Sequence, residues 1–262
     1  MVRWAYGVTT VPQRRKDLLP RTLMSLRHAG FESPRLFVDG VTFTEATGYE
    51  AEFGLPVTAH ANPPLRTHGN WVLGLYELYI RDIIADRFVI FQDDIVTYPN
   101  LRKYLERVKL PELGYFNMFS SPSQEEYIKA TYGAGPNNVG WFQSTQFGRG
   151  ALGLMFTRQA VIELLSARHL VDRVNDPHRG HRAVDGGIVE SMKKAGWAEY
   201  IHYPALVQHT GLETTMGSPP HRESTTFAGE RFDALNLLRG TRDGKALEQA
   251  KEAPEEPATG SA

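Results

Sequence analysis

Short apolar runs alternate with helical spacing over the first 110 residues, and that alternation predicts an α/β fold: a mainly parallel sheet covered by helices. Strands are expected over residues 3–9, 35–39 and 87–92. Between them, Leu19, Leu23 and Leu26 mark one helical stripe, with Gly30 as its stop. Val72, Tyr76, Tyr79 and Ile83 mark a second. Both stripes are expected to pack on the sheet. Pro99 suits a first helical turn ahead of Leu101, Leu105 and Val108.

Beyond residue 110 the periodicity is weaker. An apolar run spans Tyr115 to Phe119, and a Gly/Asn/Pro-rich stretch from Tyr132 to Gly148 reads as a long loop. Residues 151–156 predict a strand, followed by a helix carrying Val161, Leu164 and Leu165. Ile188, Met192 and Ala195 share one face of a last helix that ends at Gly196, and Ala205 to Val207 reads as a short final strand. Residues 1–240 are therefore expected to form one domain. The Lys/Glu/Ala/Pro-rich residues 241–262 are expected to be a disordered tail, because they have little apolar surface to bury.

Composition narrows the chemistry. At 262 residues, 41% hydrophobic and 23% charged, the chain can build a sizeable core, and a formal charge of −1 gives no global field for nucleic acid or an anionic membrane. Cysteine is absent, which excludes disulfides, thiolate ligands and thiol nucleophiles. No run approaches the roughly 20 apolar residues that span a bilayer, and no signal-peptide pattern opens the chain, so a soluble, cytoplasmic protein is expected.

The most informative segment is Phe88-Val-Ile-Phe-Gln-Asp-Asp-Ile, in which a strand runs straight into two carboxylates. Ligands of open α/β sheets bind beyond the carboxyl ends of strands, and hard divalent cations take carboxylate oxygens. The alternative is that one Asp caps the following helix and the other is solvated. Gln92-Asp93-Asp94 resembles the Asp-x-Asp or Glu-Asp-Asp motif of GT-A glycosyltransferases. The resemblance implies a GT-A, Rossmann-like mixed fold, Asp94 as a metal ligand, and Asp93 near the ribose or donor sugar. Gln92 departs from the pattern where many members carry an acid.

Tyr203-Pro-Ala-Leu-Val-Gln-His-Thr-Gly-Leu-Glu-Thr-Thr resembles the end of the catalytic domain in N-acetylglucosaminyltransferases that branch N-glycans. It implies His209 as a second ligand, which suits Mn²⁺ as well as Mg²⁺. Taken alone, a histidine at a strand end has a structural reading too. Asp185, ahead of the Ile188 helix, is either an N-cap or, as the resemblance implies, the general base of an inverting transfer. Glu190 is the weaker candidate for that role.

Val8-Thr-Thr-Val-Pro-Gln-Arg-Arg follows the first strand, where the family holds its donor nucleotide. Thr9, Thr10 and Arg14 are the implied contacts, while Arg14 and Arg15 also read as a solvated turn. Asp39 suits a base or ribose contact, or an Asx turn. Asn70 suits a donor contact or a helix cap. Gly150, in a segment resembling the family's glycine-bearing strand, permits close approach to the donor sugar. Trp141 and Phe142 are aromatic candidates for stacking on an acceptor sugar, and residues 210–228 are expected to close over the donor.

The expected activity is metal-dependent, inverting transfer from a nucleotide sugar, with a UDP-sugar favoured, to an acceptor hydroxyl. The acceptor is open between a saccharide, another molecule and a modified nucleic-acid base. Two rivals stand beside it: a nucleotidyltransferase acting on sugar phosphates, and a non-catalytic carbohydrate-binding protein with a decayed site.

Overall fold

The computed structural model describes residues 2–60, 64–147, 150–172, 184–210 and 223–239. The expected tail therefore lies outside the described residues, as does most of the segment expected to close over the donor.

The N-terminal half is a chain of strand–helix units. It runs β1 (Trp4–Thr10), a 3₁₀ turn (Pro12–Arg14), α1 (Leu18–His28), β2 (Arg35–Asp39), α2 (Phe43–Phe53), β3 (Val57–His60), α3 (Arg66–Arg81) and β4 (Arg87–Gln92). There follow β5 (Ile95–Thr97), α4 (Leu101–Arg107), β6 (Gly114–Asn117), α5 (Pro122–Tyr132), β7 (Gly140–Gln143) and β8 (Gly153–Thr157). The last elements are α6 (Arg158–Ser166), α7 (Arg168–Asp172), α8 (Val184–Lys194), β9 (Ala198–Tyr203), β10 (Val207–His209) and a 3₁₀ turn (Ala234–Arg239).

Eight strands form one sheet in the order β3-β2-β1-β4-β8-β6-β9-β7, and β5 pairs with β10 in a separate ribbon. The strands β3, β2, β1 and β4 are mutually parallel. β8 returns antiparallel beside β4, and β7 is antiparallel at the far edge. This is the mixed, mainly parallel, Rossmann-like α/β sheet expected of the sequence. Apolar layers cover both faces, one built around Phe31, Phe91 and Tyr104 and the other around Trp71, Phe88 and Phe156.

The second helical stripe is corrected by the structure. In α3 the buried apolar side chains are Trp71, Val72, Leu75 and Leu78, while Tyr76 and, past the end of the helix, Ile83 are half exposed. Gly74 accounts for the rotation. A Cβ there would meet the Phe37 ring of β2 at 2.9 Å, so the absence of a side chain lets the helix settle on the sheet through that face. The expected loop over Tyr132–Gly148 is corrected as well, because Gly140–Gln143 forms β7. Trp141 and Phe142 are thus core residues, 5% and 2% exposed, and not free to stack on a sugar. The last strand falls at Val207–His209, later than expected, while the main-chain N–H of Leu206 donates to Met118.

Trp141 also packs edge-on against His202, a fully buried side chain of β9. The His202 Nδ1 lies 2.6 Å from the Pro204 carbonyl, which can only accept, so that nitrogen carries the proton and Nε2 accepts from the Tyr104 hydroxyl at 2.6 Å. Burial pushes the imidazole pKa down to about 4, against the pull of the Pro204 carbonyl. In the unfolded chain histidine titrates near 6.5, so as pH falls the unfolded state takes the proton first. Stability from the neutral imidazole is complete above about pH 6.5. It is lost towards pH 4 by up to about 1.4 kcal/mol per unit. We expect the His202 Cε1 proton resonance to stay constant between pH 7 and 5. A titration midpoint above 6 would show that the core admits the second proton.

Candidate active site

Sheet register brings the first elements of the site together. β1 lies parallel to β4 with Thr9 opposite Gln92, so Thr10 and Asp93 emerge side by side. The Thr10 hydroxyl donates to Asp93 Oδ2 at 2.6 Å. Asp93 and Asp94 occupy the turn between β4 and β5, and β5 pairs with β10 so that Ile95 faces His209. The Thr210 N–H donates to the Asp94 carbonyl at 2.8 Å and closes the ribbon. By this route two distant stretches of sequence meet: His209 Nε2 lies 3.1 Å from Asp94 Oδ2.

Arg14, from the 3₁₀ turn after β1, sits between the two carboxylates. Its Nη1 is 3.0 Å from Asp93 Oδ1 and also pairs with Asp94 Oδ2. Both acids are nearly inaccessible to solvent, and two buried carboxylates with no counter-charge would be strongly disfavoured. Burial raises Asp93 to about 6 despite Arg14. For Asp94 burial also pushes upward, but His209 and then Arg14 outweigh it and hold its carboxyl below the usual range. The pair thus divides into one acid that gives up its charge readily and one that keeps it.

The chemistry of this group fits a divalent cation. Asp94 Oδ1 is buried and lacks a hydrogen-bond partner, while Oδ2 is shared by Arg14 and His209. An orphaned carboxylate oxygen beside an imidazole nitrogen is a mixed O/N donor set suited to Mn²⁺. Among the described residues no third His, Asp or Glu joins them, so a cation held here would complete its shell with ligand or water oxygens.

A cleft opens beside these residues, lined by Thr9, Thr10, Val11, Arg14, Asp39, Arg66, Thr67, Asn70, Gln92 and Asp93. Six of the seven predicted donor contacts share it; Gly150 does not. Its open space is only about 80 Å³, well short of the roughly 300 Å³ of small-ligand pockets. A nucleotide therefore needs side chains at the rim to move, and Arg14 and the exposed Arg66 are the large ones.

The remaining predicted residues are placed as follows. Thr9 donates to the Phe91 carbonyl at 3.3 Å. Asp39 is buried and accepts from the N–H groups of Leu65 at 2.8 Å and Arg66 at 2.6 Å. It fastens the start of α3, where Arg66 takes a left-handed φ of 60°. Asn70 does not open its helix, which begins at Arg66. It lies a turn inside, donating to the Phe37 carbonyl at 3.1 Å and meeting His60 Nδ1 at 2.7 Å. Arg15 is turned away, paired with Glu52 and stacked over Tyr49. Glu190 pairs with Lys194 on the outer face of α8.

Asp185 falls in the first turn of α8, and its Oδ2 accepts the Gly150 N–H at 2.9 Å. Gly150 has a φ of +79°, and a Cβ there would come within 2.5 Å of Phe119, so glycine is required on two counts. These two predicted residues are joined to each other apart from the cleft lining.

Sequence reasoning missed Arg66 and Glu125. Glu125 is fully buried and accepts from the Ser120 hydroxyl at 3.1 Å, the Thr226 hydroxyl at 2.9 Å and the Thr225 N–H at 3.2 Å, as well as the Ser224 and Thr225 hydroxyls. Ser224 in turn exchanges main-chain bonds with the Gln208 amide, next to His209. Nothing local in Gln124-Glu125-Glu126 distinguishes the buried acid; only the tertiary fold does.

No protein-family model matches the chain, and no curated protein matches it. A crystal structure of mannose-1-phosphate geranyltransferase from Thermus thermophilus is similar over 77% of this chain and 74% of its own, at 14% identity and a TM-score of 0.42. It is not of the N-acetylglucosaminyltransferase type, and a likeness at this level carries no argument about chemistry. Strand order and register define the class, a Rossmann-like α/β protein with a mixed, mainly parallel sheet. Among the described residues no helix is long and apolar enough to cross a membrane.

Proposed function

We propose that this protein is a divalent-cation-dependent transferase acting on a nucleotide-activated sugar, with glycosyl transfer to an acceptor hydroxyl as its reaction. The single observation that carries the proposal is the meeting of Asp94 and His209 at 3.1 Å, with one carboxylate oxygen left unpartnered, beside a cleft at the carboxyl ends of β1 and β4. Asp94 and His209 are the residues to hold Mn²⁺ or Mg²⁺. Such a cation supplies Lewis-acid stabilisation of charge on a departing diphosphate. Thr9, Thr10, Asp39, Asn70 and Asp93 line the cleft for the nucleotide, and Asp185 is the candidate base.

Nucleotidyl transfer to a sugar phosphate is the second reading, because paired carboxylates beside such a cleft serve both reactions. Against it, β1 leads directly into Pro12–Arg14 rather than into a glycine-rich phosphate loop. Screening nucleotide sugars for Mn²⁺-dependent thermal stabilisation, then identifying the product, separates the two. Glycosyl transfer releases a nucleoside diphosphate. Pyrophosphate release would replace the first reading with the second, and cation-dependent binding without turnover on any acceptor would favour a decayed site.

Arg14 carries its own prediction. Its guanidinium lies where positive charge is needed between two carboxylates, and it competes with a metal for Asp94. A diphosphate offers the guanidinium a better bidentate partner. Arg14→Met is therefore expected to tighten Mn²⁺ binding about tenfold without nucleotide, while weakening nucleotide-sugar binding about tenfold. Titration by Mn²⁺ electron paramagnetic resonance checks the first effect. Weaker Mn²⁺ binding in Arg14→Met would mean that the guanidinium organises the acids rather than competing for them.

A further inference from the structure

A second cavity, of about 270 Å³, is lined by Ser123, Gln124, Thr145 and Phe147 and shares no lining residue with the cleft beside Asp94. Gln124 is only 3% exposed. Its Oε1 accepts from the Ser121 N–H at 3.1 Å and the Ser121 hydroxyl at 3.2 Å, which fixes the orientation of the amide. The Nε2 is then left buried with no partner. A buried donor pair without an acceptor is costly.

Phe147 is the opposite kind of anomaly, an aromatic ring 79% exposed. Its presentation is not loose. The preceding residue, Gln146, has a left-handed φ of 56°, and its N–H donates to Ser144 Oγ at 2.8 Å. Ser144 in turn donates to Glu199, a fully buried carboxylate that also accepts from Asn117 at 3.1 Å. Backbone strain held in place by a buried network is characteristic of functional sites. Here its effect is to hold an apolar ring at the edge of a cavity.

The lining offers an aromatic face and the hydroxyls of Ser123 and Thr145, with no charged side chain among the described residues. It suits a neutral polyol with one apolar face. We infer that this cavity is a binding subsite for the pyranose ring of a saccharide, with the ring's C–H face on Phe147 and its hydroxyls on those of Ser123 and Thr145. As the seat of the acceptor it rests on the transferase reading above; as a sugar site it does not. The neighbouring Glu125 ties the same turn of α5 to residues 224–226 and so to Gln208, beside His209.

Saturation-transfer difference NMR on the full chain tests this with four probes, methyl β-glucopyranoside, methyl β-galactopyranoside, methyl α-mannopyranoside and N-acetylglucosamine, against thymidine and cytidine. At least one glycoside is expected to receive saturation at its ring C–H protons. Phe147→Ala, a surface change, should weaken that binding about tenfold. Ser123→Ala combined with Thr145→Val, which removes the two hydroxyls of the lining, should do the same. Binding of Mn²⁺ and nucleotide sugar should be unchanged in both. Silence from all four glycosides, equal transfer in Phe147→Ala, or Phe147-dependent transfer to the nucleosides alone would overturn the inference. Glycoside binding that survives while no nucleotide sugar binds would keep the subsite and reject the transferase.

Discussion

Asp94→Ala is expected to abolish tight Mn²⁺ binding and to lower kcat/KM about 1000-fold, the equivalent of about 4 kcal/mol of lost stabilisation in the transition state. The size follows from the carboxylate's double duty. Its Oδ2 already meets His209 and Arg14, and its buried Oδ1 is the one oxygen of the pair with no partner. Removing it leaves His209 as a lone nitrogen ligand and Arg14 paired with Asp93 alone. The loss should therefore appear in metal affinity and turnover together. His209→Ala is expected to follow in the same direction but less far, because a carboxylate remains. Mn²⁺ titration, steady-state kinetics and a urea melt on the same preparations check this. A variant that folds, binds Mn²⁺ as the parent does and turns over within tenfold of it would remove Asp94 from the metal site.

Strand legibility followed burial. β2 and β4 were read to the residue and β1 within one, because parallel strands covered on both faces appear as continuous apolar runs. β9 was missed because its buried positions include Glu199 and His202, two residue types that read as surface. Glu199 is satisfied by Ser144 and Asn117, and His202 by Tyr104 and Pro204, all but the last supplied from elsewhere in the chain. β7 was missed because a four-residue edge strand among Gly, Asn and Pro has too few alternations to register. For α3 the apolar residues nearly encircle the helix, so periodicity could not choose a face. Gly74, small enough to meet Phe37, chose it.

In the site, the proximity of Asp94 and His209 was legible from motif resemblance and not from periodicity, since only the β5–β10 ribbon joins them. That Arg14 belongs to the cleft was legible, but its seat between the two acids was not. A sequence states the residue's charge but not that two neighbouring acids would be buried, and it is their burial that draws the guanidinium in. Asp39 and Asn70 line the cleft while their polar atoms hold the main chain and His60. Any nucleotide contact they make must use lone pairs left over from that structural work.

Asp185→Asn is expected to lower kcat about 100-fold with the affinity for nucleotide sugar nearly unchanged, which is the lower end of what a positioned general base contributes. The structure supplies a competing explanation that the experiment has to exclude. Asp185 Oδ2 accepts from Gly150 and Oδ1 from its neighbour Gly186, so the carboxylate also anchors a tight turn against Phe119. An asparagine presents an N–H group to one of those donors and disturbs the turn. If anchoring is the whole role, KM for the acceptor should rise, kcat should fall little, and the pH dependence of turnover should keep its acidic limb. If Asp185 takes the acceptor's proton, the acidic limb of the kcat profile should disappear with the carboxylate. Unchanged turnover in Asp185→Asn would leave the proton to another group.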